Sequence, residues 1–242
     1  MKKVFSAILL AALCASTQIS AATYPGEHRG FYFSQNLAFA YTSIDQTTKY
    51  NRSFGSEKEI LLFSGPLFYS ESRIGISIAN FASIYALLGV GYASGSYSEE
   101  TKYSVKDPES NSDKDYENKY FEDNASSDTR YAFGIGGEFY PIRDDNSIFS
   151  GLFFGPSLGM MFDKITHLEK EDDEKTKTTT LINALIRLEV GKEWWISRSW
   201  CIGVAISYTL GDSESDVGQY EGQTNVETIS SNTFGLAFRI AH

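Results

Sequence analysis

The residues best suited to chemistry are few. Acyl transfer needs a base such as His within hydrogen-bond reach of a Ser, and the chain has three histidines, His28, His167 and His242. His28 precedes the first strand-like segment and His242 is the last residue. His167 lies in the charged run ITHLEKEDDE, where a histidine reads as a plain solvated loop side chain. No catalytic residue is assigned on this pattern. The acidic run Glu169–Glu174 (EKEDDE) reads as a solvated loop tip. A calcium loop would need Asp-x-Asp-x-Asp-Gly spacing, which the sequence does not contain. No metal-binding or cofactor-binding residue is assigned either.

Cysteine chemistry is equally sparse. Cys14 sits inside an apolar stretch after Leu13, where a lipidation signal wants a small residue. Cys201 is the other one, so no internal disulfide is expected in an exported chain. The remaining chemistry-bearing residues are charges placed in apolar, strand-like surroundings: Arg130, Glu138, Arg187, Glu189, Glu193 and Arg239. Their meaning depends on the elements that hold them.

The N-terminus reads as an export signal, 1–22, followed by one domain, 23–242. Lys2 and Lys3 precede the 12-residue apolar run Val4–Ala15, and small residues follow at Ser20, Ala21 and Ala22. That run is too short for a permanent membrane helix, which needs about 20 apolar residues. The uncharged stretch Ile74–Ser98 is long enough, but Gly75, Gly89, Gly91 and Gly95 weaken a helix and suit strands broken by a turn.

Of 242 residues, 42% are hydrophobic and 14% aromatic, which excludes a disordered chain. A net charge of −10 excludes nucleic acid as a partner, since phosphates need a basic surface. Hydrophobicity alternates with period two almost throughout, the signature of strands. In Trp200–Gly211, Trp200, Ile202, Val204, Ile206, Tyr208 and Leu210 share one face, and Cys201, Gly203, Ala205, Ser207, Thr209 and Gly211 the other. Phe31–Thr42, Arg130–Tyr140, Ile148–Phe162, Leu181–Ser197 and Thr233–Ile240 repeat the pattern. Two further strands, Glu59–Ile78 and Phe81–Ser96, alternate less cleanly and are placed largely by position.

Eight strands result. Long polar loops are expected at Asp45–Lys58, Tyr97–Asp128, Asp163–Thr178 and Asp212–Glu227, and tight links around Ala79–Asn80, Pro141–Ser147 and Ser197–Ser199. An even strand count with short turns at one end and long loops at the other describes an all-β, eight-stranded antiparallel up-and-down barrel.

Which face is wet follows from residue size. The less apolar faces are Gly, Ala, Ser and Asn with a few charges, whereas a water-facing surface is rich in Lys, Glu, Asp and Arg. A barrel in lipid turns its apolar residues outward, and an eight-stranded interior is filled by side chains. The six charges above then lie inside and pair across the lumen. Phe139, Tyr140, Phe149, Trp194, Trp195 and Trp200 cluster beside the short turns, and Tyr41, Tyr92, Tyr131, Phe162 and Tyr208 toward the long loops, as two interface belts. Gln35 and Lys192 fit this orientation badly; Lys192 is expected to snorkel beside Trp194.

The C-terminal strand TFGLAFRI places Thr233, Gly235, Phe238 and Ile240 where small Gram-negative outer-membrane barrels carry their assembly signal. In this and in the stretches GGEFYPI and VGKEWW, the chain resembles the OmpA-transmembrane-domain and OmpX-like group. Such proteins often end on Phe, whereas this chain continues with Ala241 and His242. The resemblance implies a monomer of the outer membrane, in contact with its lipid and lipopolysaccharide and inserted by the barrel-assembly machinery. The expected role is structural or surface-interactive, with no channel and no catalysis. Two alternatives stand beside it: a soluble lipocalin-like barrel that binds a small apolar ligand, and an outer-membrane enzyme that modifies lipid A.

Overall fold

The computed structural model describes residues 30–52, 55–78, 81–106, 113–142, 147–169, 172–220 and 223–242. The expected export signal, with Cys14, and also His28 and the link Ala79–Asn80, lie outside them. The elements are β1 (Gly30–Arg52), β2 (Gly55–Ile78), β3 (Ala82–Lys106), β4 (Asp113–Phe139), β5 (Leu152–Glu169), β6 (Asp172–Trp195), β7 (Cys201–Tyr220) and β8 (Gln223–Ala241). Each pairs antiparallel with the next, and β8 closes on β1, giving a barrel in simple up-and-down order.

The strands run 18 to 27 residues, far more than the 9–11 or so that cross a bilayer. Side-chain chemistry marks the part that does. Exposed large apolar residues occupy Phe31–Tyr41, Phe68–Ile78, Ile84–Tyr92, Tyr131–Phe139, Phe154–Met160, Ile182–Val190, Ile202–Leu210 and Phe234–Ile240. Stacked side by side in register, these stretches form one apolar belt around the barrel.

Beyond the belt the polarity of both faces changes on most strands, although β2 keeps Leu62 exposed on its outer face. Outward from the membrane, the outer face of β8 runs from Phe238 and Phe234 to Asn232, Ser230 and Thr228, while its inner face runs from Arg239 to Thr233 and then Ile229. In β6 the outer face changes from Val190, Ile186 and Ile182 to Thr180 and Thr178. The inner face changes from Glu193, Glu189 and Arg187 to Leu185, Asn183 and Leu181, a change that begins within the belt. Ile44, Phe63, Met161, Ile165 and Leu181 are fully or almost fully buried and fill the outer lumen. The same chain is thus lipid-type inside the belt and water-type above it, each segment hiding from its own solvent what that solvent rejects.

This inversion changes the form of the long connections. Asp45–Lys58, Tyr97–Asp128, Asp163–Thr178 and Asp212–Glu227 mostly continue as paired strand, the antiparallel ladders running on past the belt. The seams above the belt are unequal. β7 pairs with β8 out to Tyr220↔Gln223, but β6–β7 pairing stops at Ala184↔Asp212 and β4–β5 pairing at Ser127↔Thr166.

Local details follow from residue type. β5 begins at Leu152 rather than near Ile148, because Gly151 adopts φ 77° and turns the chain into the strand. The short link Ser197–Ser199 is held by Ile196 N–H and Ser197 N–H donating to the Trp200 carbonyl. Lys192 reaches the Ile148 carbonyl and lies 5.5 Å from the Trp194 ring, the snorkelling its position called for. Gln35 is explained by its neighbours on β2: its amide donates to Ser70 at 2.9 Å and accepts from Ser72 at 2.6 Å. The polar group therefore faces the lipid with its hydrogen bonds already made.

Candidate functional site

Side chains fill the lumen in tiers. The innermost is an ion network. Arg73 donates to Glu71 at 2.7 Å, to Glu138 at 2.6 Å and to Glu189 at 2.8 Å. Arg239 pairs with Glu138 at 2.9 Å and Glu193 at 3.0 Å, and Arg187 with Glu71. Tyr32 and Tyr140 donate to Glu138 at 2.9 and 2.8 Å, and Tyr69 to Glu71 at 3.1 Å. All six charges expected inside are inside and buried. The sequence reading missed Glu71 and Arg73, the centre of the network.

Glycines make this packing fit. A Cβ on Gly89 would lie 1.8 Å from the Tyr69 hydroxyl, so the Tyr69 ring occupies the space that residue 89 gives up. Above the network, a cavity of about 30 Å³ lined by Ala38, Ala40, Ser207 and Ala237 has room for about two waters.

The second tier closes the belt. Arg130 donates to Asp163, to Thr233 at 2.7 Å and to Thr42 at 2.9 Å. Asp128 lies beside it, three residues beyond Tyr131 and so outside the apolar belt, with Arg130 at 4.0 Å. Burial, and then the Asp163 carboxylate, push the Asp128 carboxyl up to about 7.

The outermost tier is the mouth. His167 is buried on the inner face of β5, which corrects its reading as a solvated loop residue. Its ring stacks on Tyr97 at 3.8 Å and 8°, and Nδ1 is 2.8 Å from the Leu168 carbonyl. The reason is the inversion above the belt: period two turns His167 into the apolar upper core, although its neighbours in sequence are charged. Asp123 stitches the β4–β5 seam by accepting from Leu168 N–H at 2.9 Å. Burial opposes its ionisation, but the backbone N–H groups of Leu168 and Ala125 outweigh this and hold the carboxyl below its ordinary range. Ser213 spans the β6–β7 seam, donating to Asn183 at 3.3 Å. Toward the rim the inner face turns acidic. Tyr50 donates to Glu59 and Tyr97 to Glu99, both at 3.3 Å, and burial followed by the Glu57 carboxylate raises Glu59.

Among the described residues, no group of three or more His, Cys, Asp or Glu is arranged to hold a metal ion. Cys201 is a buried free thiol near the short-turn end, with Sγ 3.6 Å from the Ala241 carbonyl.

No protein-family model and no curated protein matches the sequence. Solved structures do. The chain is similar to OprG, an outer-membrane protein of Pseudomonas aeruginosa, at 11% identity and TM-score 0.42, over 89% of this chain and 98% of that one. It is similar to Neisserial surface protein A at 12% identity and TM-score 0.39, over 87% and 96%. It is also similar to the outer-membrane protease OmpT of Escherichia coli at 7% identity and TM-score 0.36, over 91% and 99%.

Proposed function

We propose that this chain is an outer-membrane protein with a structural and surface-interaction role. Eight strands anchor it, and the ribbons above the belt present a polar, largely acidic surface outside. The observation that carries this reading is the apolar outer belt around a lumen of buried ion pairs, with the faces exchanging polarity on most strands toward the outer edge of that belt. A soluble calyx would keep an apolar lumen and a polar exterior along its whole length. Here that arrangement exists only above the belt. The N-terminal export signal and the C-terminal assembly-type strand support the same destination, and the monomer is the functional unit.

Transport is not part of the proposal, because buried ion pairs occupy the lumen at mid-belt. Catalysis is not part of it either. His167 is the histidine on the outer side; its ring is stacked on Tyr97 and its Nδ1 is engaged by a backbone carbonyl, so it is set into the packing rather than beside a serine.

The experiment is thiol labelling of intact cells with a membrane-impermeant reagent. The native thiol is buried, so cysteines are introduced at three exposed positions: Asp45→Cys, Thr178→Cys and Ser199→Cys. The first two are expected to label and the third only after lysis. Labelling of Ser199→Cys in intact cells, or of none of the three, contradicts the proposal.

A further inference from the structure

Above the belt, the outer face of β1–β3 carries a row of charges that folding alone does not favour. Lys49 of β1 stands directly opposite Lys58 of β2, and Lys58 directly opposite Lys102 of β3. All three share the outward parity; Lys49 and Lys102 are exposed and Lys58 is half-buried. Strands lie about 4.8 Å apart, so the backbones of the three lysines span a front of roughly 10 Å. Like charges directly opposite one another destabilise a sheet. Lys102 is partly neutralised by Glu100 at 3.1 Å. Among the described residues, Lys49 and Lys58 have no ion-pair partner.

On the outer face of these strands the acids are Asp45 and Glu100; the other nearby acids face the other way. Lys58 is flanked in sequence by Glu57 and Glu59, and period two turns both into the mouth, as it does Glu99. The outer face of the ribbon therefore carries three lysines against Asp45 and Glu100, and the inner face is acidic, in a chain of net charge −10.

Position narrows the partner. Lys49 is eight residues beyond Tyr41, Lys58 ten beyond Phe68 and Lys102 ten beyond Tyr92, each on the same parity as its lipid-facing aromatic. At about 3.3 Å per residue on strands tilted by about 45°, the row stands roughly 20 Å above that aromatic level. It looks sideways, over the same face that meets lipid below. An occupant anchored in the surrounding leaflet reaches it by standing upright beside the barrel, and at that height such an occupant is sugar.

We propose that Lys49, Lys58 and Lys102 form a docking surface for the phosphorylated core sugars of lipopolysaccharide in the leaflet around the barrel. This rests on the reading of the chain as an outer-membrane barrel and names the partner of its outer surface. Phosphate supplies the counter-charge that the fold withholds, and the repulsion among the lysines is relieved on binding.

The test compares the full-length protein, a Lys49→Gln/Lys58→Gln/Lys102→Gln variant and the corresponding triple Lys→Arg variant, each refolded in detergent and checked for a heat-dependent gel shift. Each is titrated with three probes. These are lipopolysaccharide with a phosphorylated core, lipopolysaccharide that lacks core phosphate but keeps lipid A phosphate, and a soluble sulfated polysaccharide. The proposal expects the wild type and the Arg variant to bind the phosphorylated core with salt-sensitive affinity. The Gln variant binds it at least tenfold more weakly, and loss of core phosphate weakens the wild type to that level. In lipopolysaccharide-free detergent the Gln variant is no less heat-stable than the wild type. Equal affinity of wild type and Gln variant, indifference to core phosphate, or binding of the soluble polyanion alone overturns the proposal. A chain that shows no heat-dependent shift overturns instead the barrel reading beneath it.

Discussion

Arg73 of β2 and Glu138 of β4 meet at 2.6 Å inside the barrel, across a lumen and past an intervening strand. The same guanidinium reaches Glu71 and, on β6, Glu189. One side chain thus ties together three elements that do not pair as neighbours. Loss of either sign leaves buried charge uncompensated, and the two losses are unequal. Glu189→Gln keeps a polar acceptor for Arg73 and is expected to lower stability by about 1–3 kcal/mol. Arg73→Leu leaves Glu71, Glu138, Glu189 and Glu193 with only Arg187 and Arg239 to balance them in the network, and is expected to cost more, about 3–5 kcal/mol. Urea unfolding in micelles, followed by tryptophan fluorescence, ranks the two, and an unchanged midpoint for Arg73→Leu contradicts the network. Export of Glu189→Gln is expected to persist.

Tyr69 and Gly89 form a second dependency. A side chain at position 89 meets the Tyr69 hydroxyl and ring at once. Gly89→Leu is therefore expected to evict Tyr69, break its bond to Glu71 and destabilise the barrel by about 1–3 kcal/mol. The neighbouring outward change Val90→Leu only alters lipid contact and is expected to be near neutral. Equal unfolding midpoints for the two variants would show that the lumen is looser than this packing implies.

Asp128 sets a pH dependence. Its folded-state carboxyl, pushed up by burial and then by Asp163, titrates at about 7 against an ordinary 3.8. Between those values the folded chain holds a proton that the unfolded chain has lost. Stability therefore falls as pH rises across that window and levels off above it. Asp128→Asn keeps the neutral form at every pH and is expected to flatten this component of the profile. Chemical denaturation at pH 5 and pH 8 checks it: the wild type is expected to lose more stability than the variant on going to pH 8, and an equal change in both contradicts the assignment.

The parts legible in sequence were those where one face is apolar and the other small or charged. β6, β7 and β8 show this cleanly, and the facing of Arg187, Glu189, Glu193 and Arg239 followed from it. Glu71 and Arg73 were hidden for a physical reason. They alternate with Ser70 and Ser72, so β2 is polar on both faces there and shows no period. The outer serines are tolerated only because Gln35, on another strand, completes their hydrogen bonds. The outer ribbons read as loops because the rule linking face to polarity reverses at the membrane surface. A pattern scored for one solvent then looks irregular, and His167 looked solvated when it is stacked on Tyr97. The lysine row was illegible for a related reason: its charges oppose one another only through cross-strand register.

The proposed outer-membrane location requires the apolar face to point outward in the belt and the belt to sit in lipid. Fractionation of expressing cells, with boiled and unboiled membrane samples compared on a gel, tests it most directly. The protein is expected in the outer-membrane fraction, with a band that shifts on boiling as the closed barrel unfolds. A soluble periplasmic band without a shift would contradict it, reverse every facing assignment in the belt and make an apolar ligand in the lumen the leading reading.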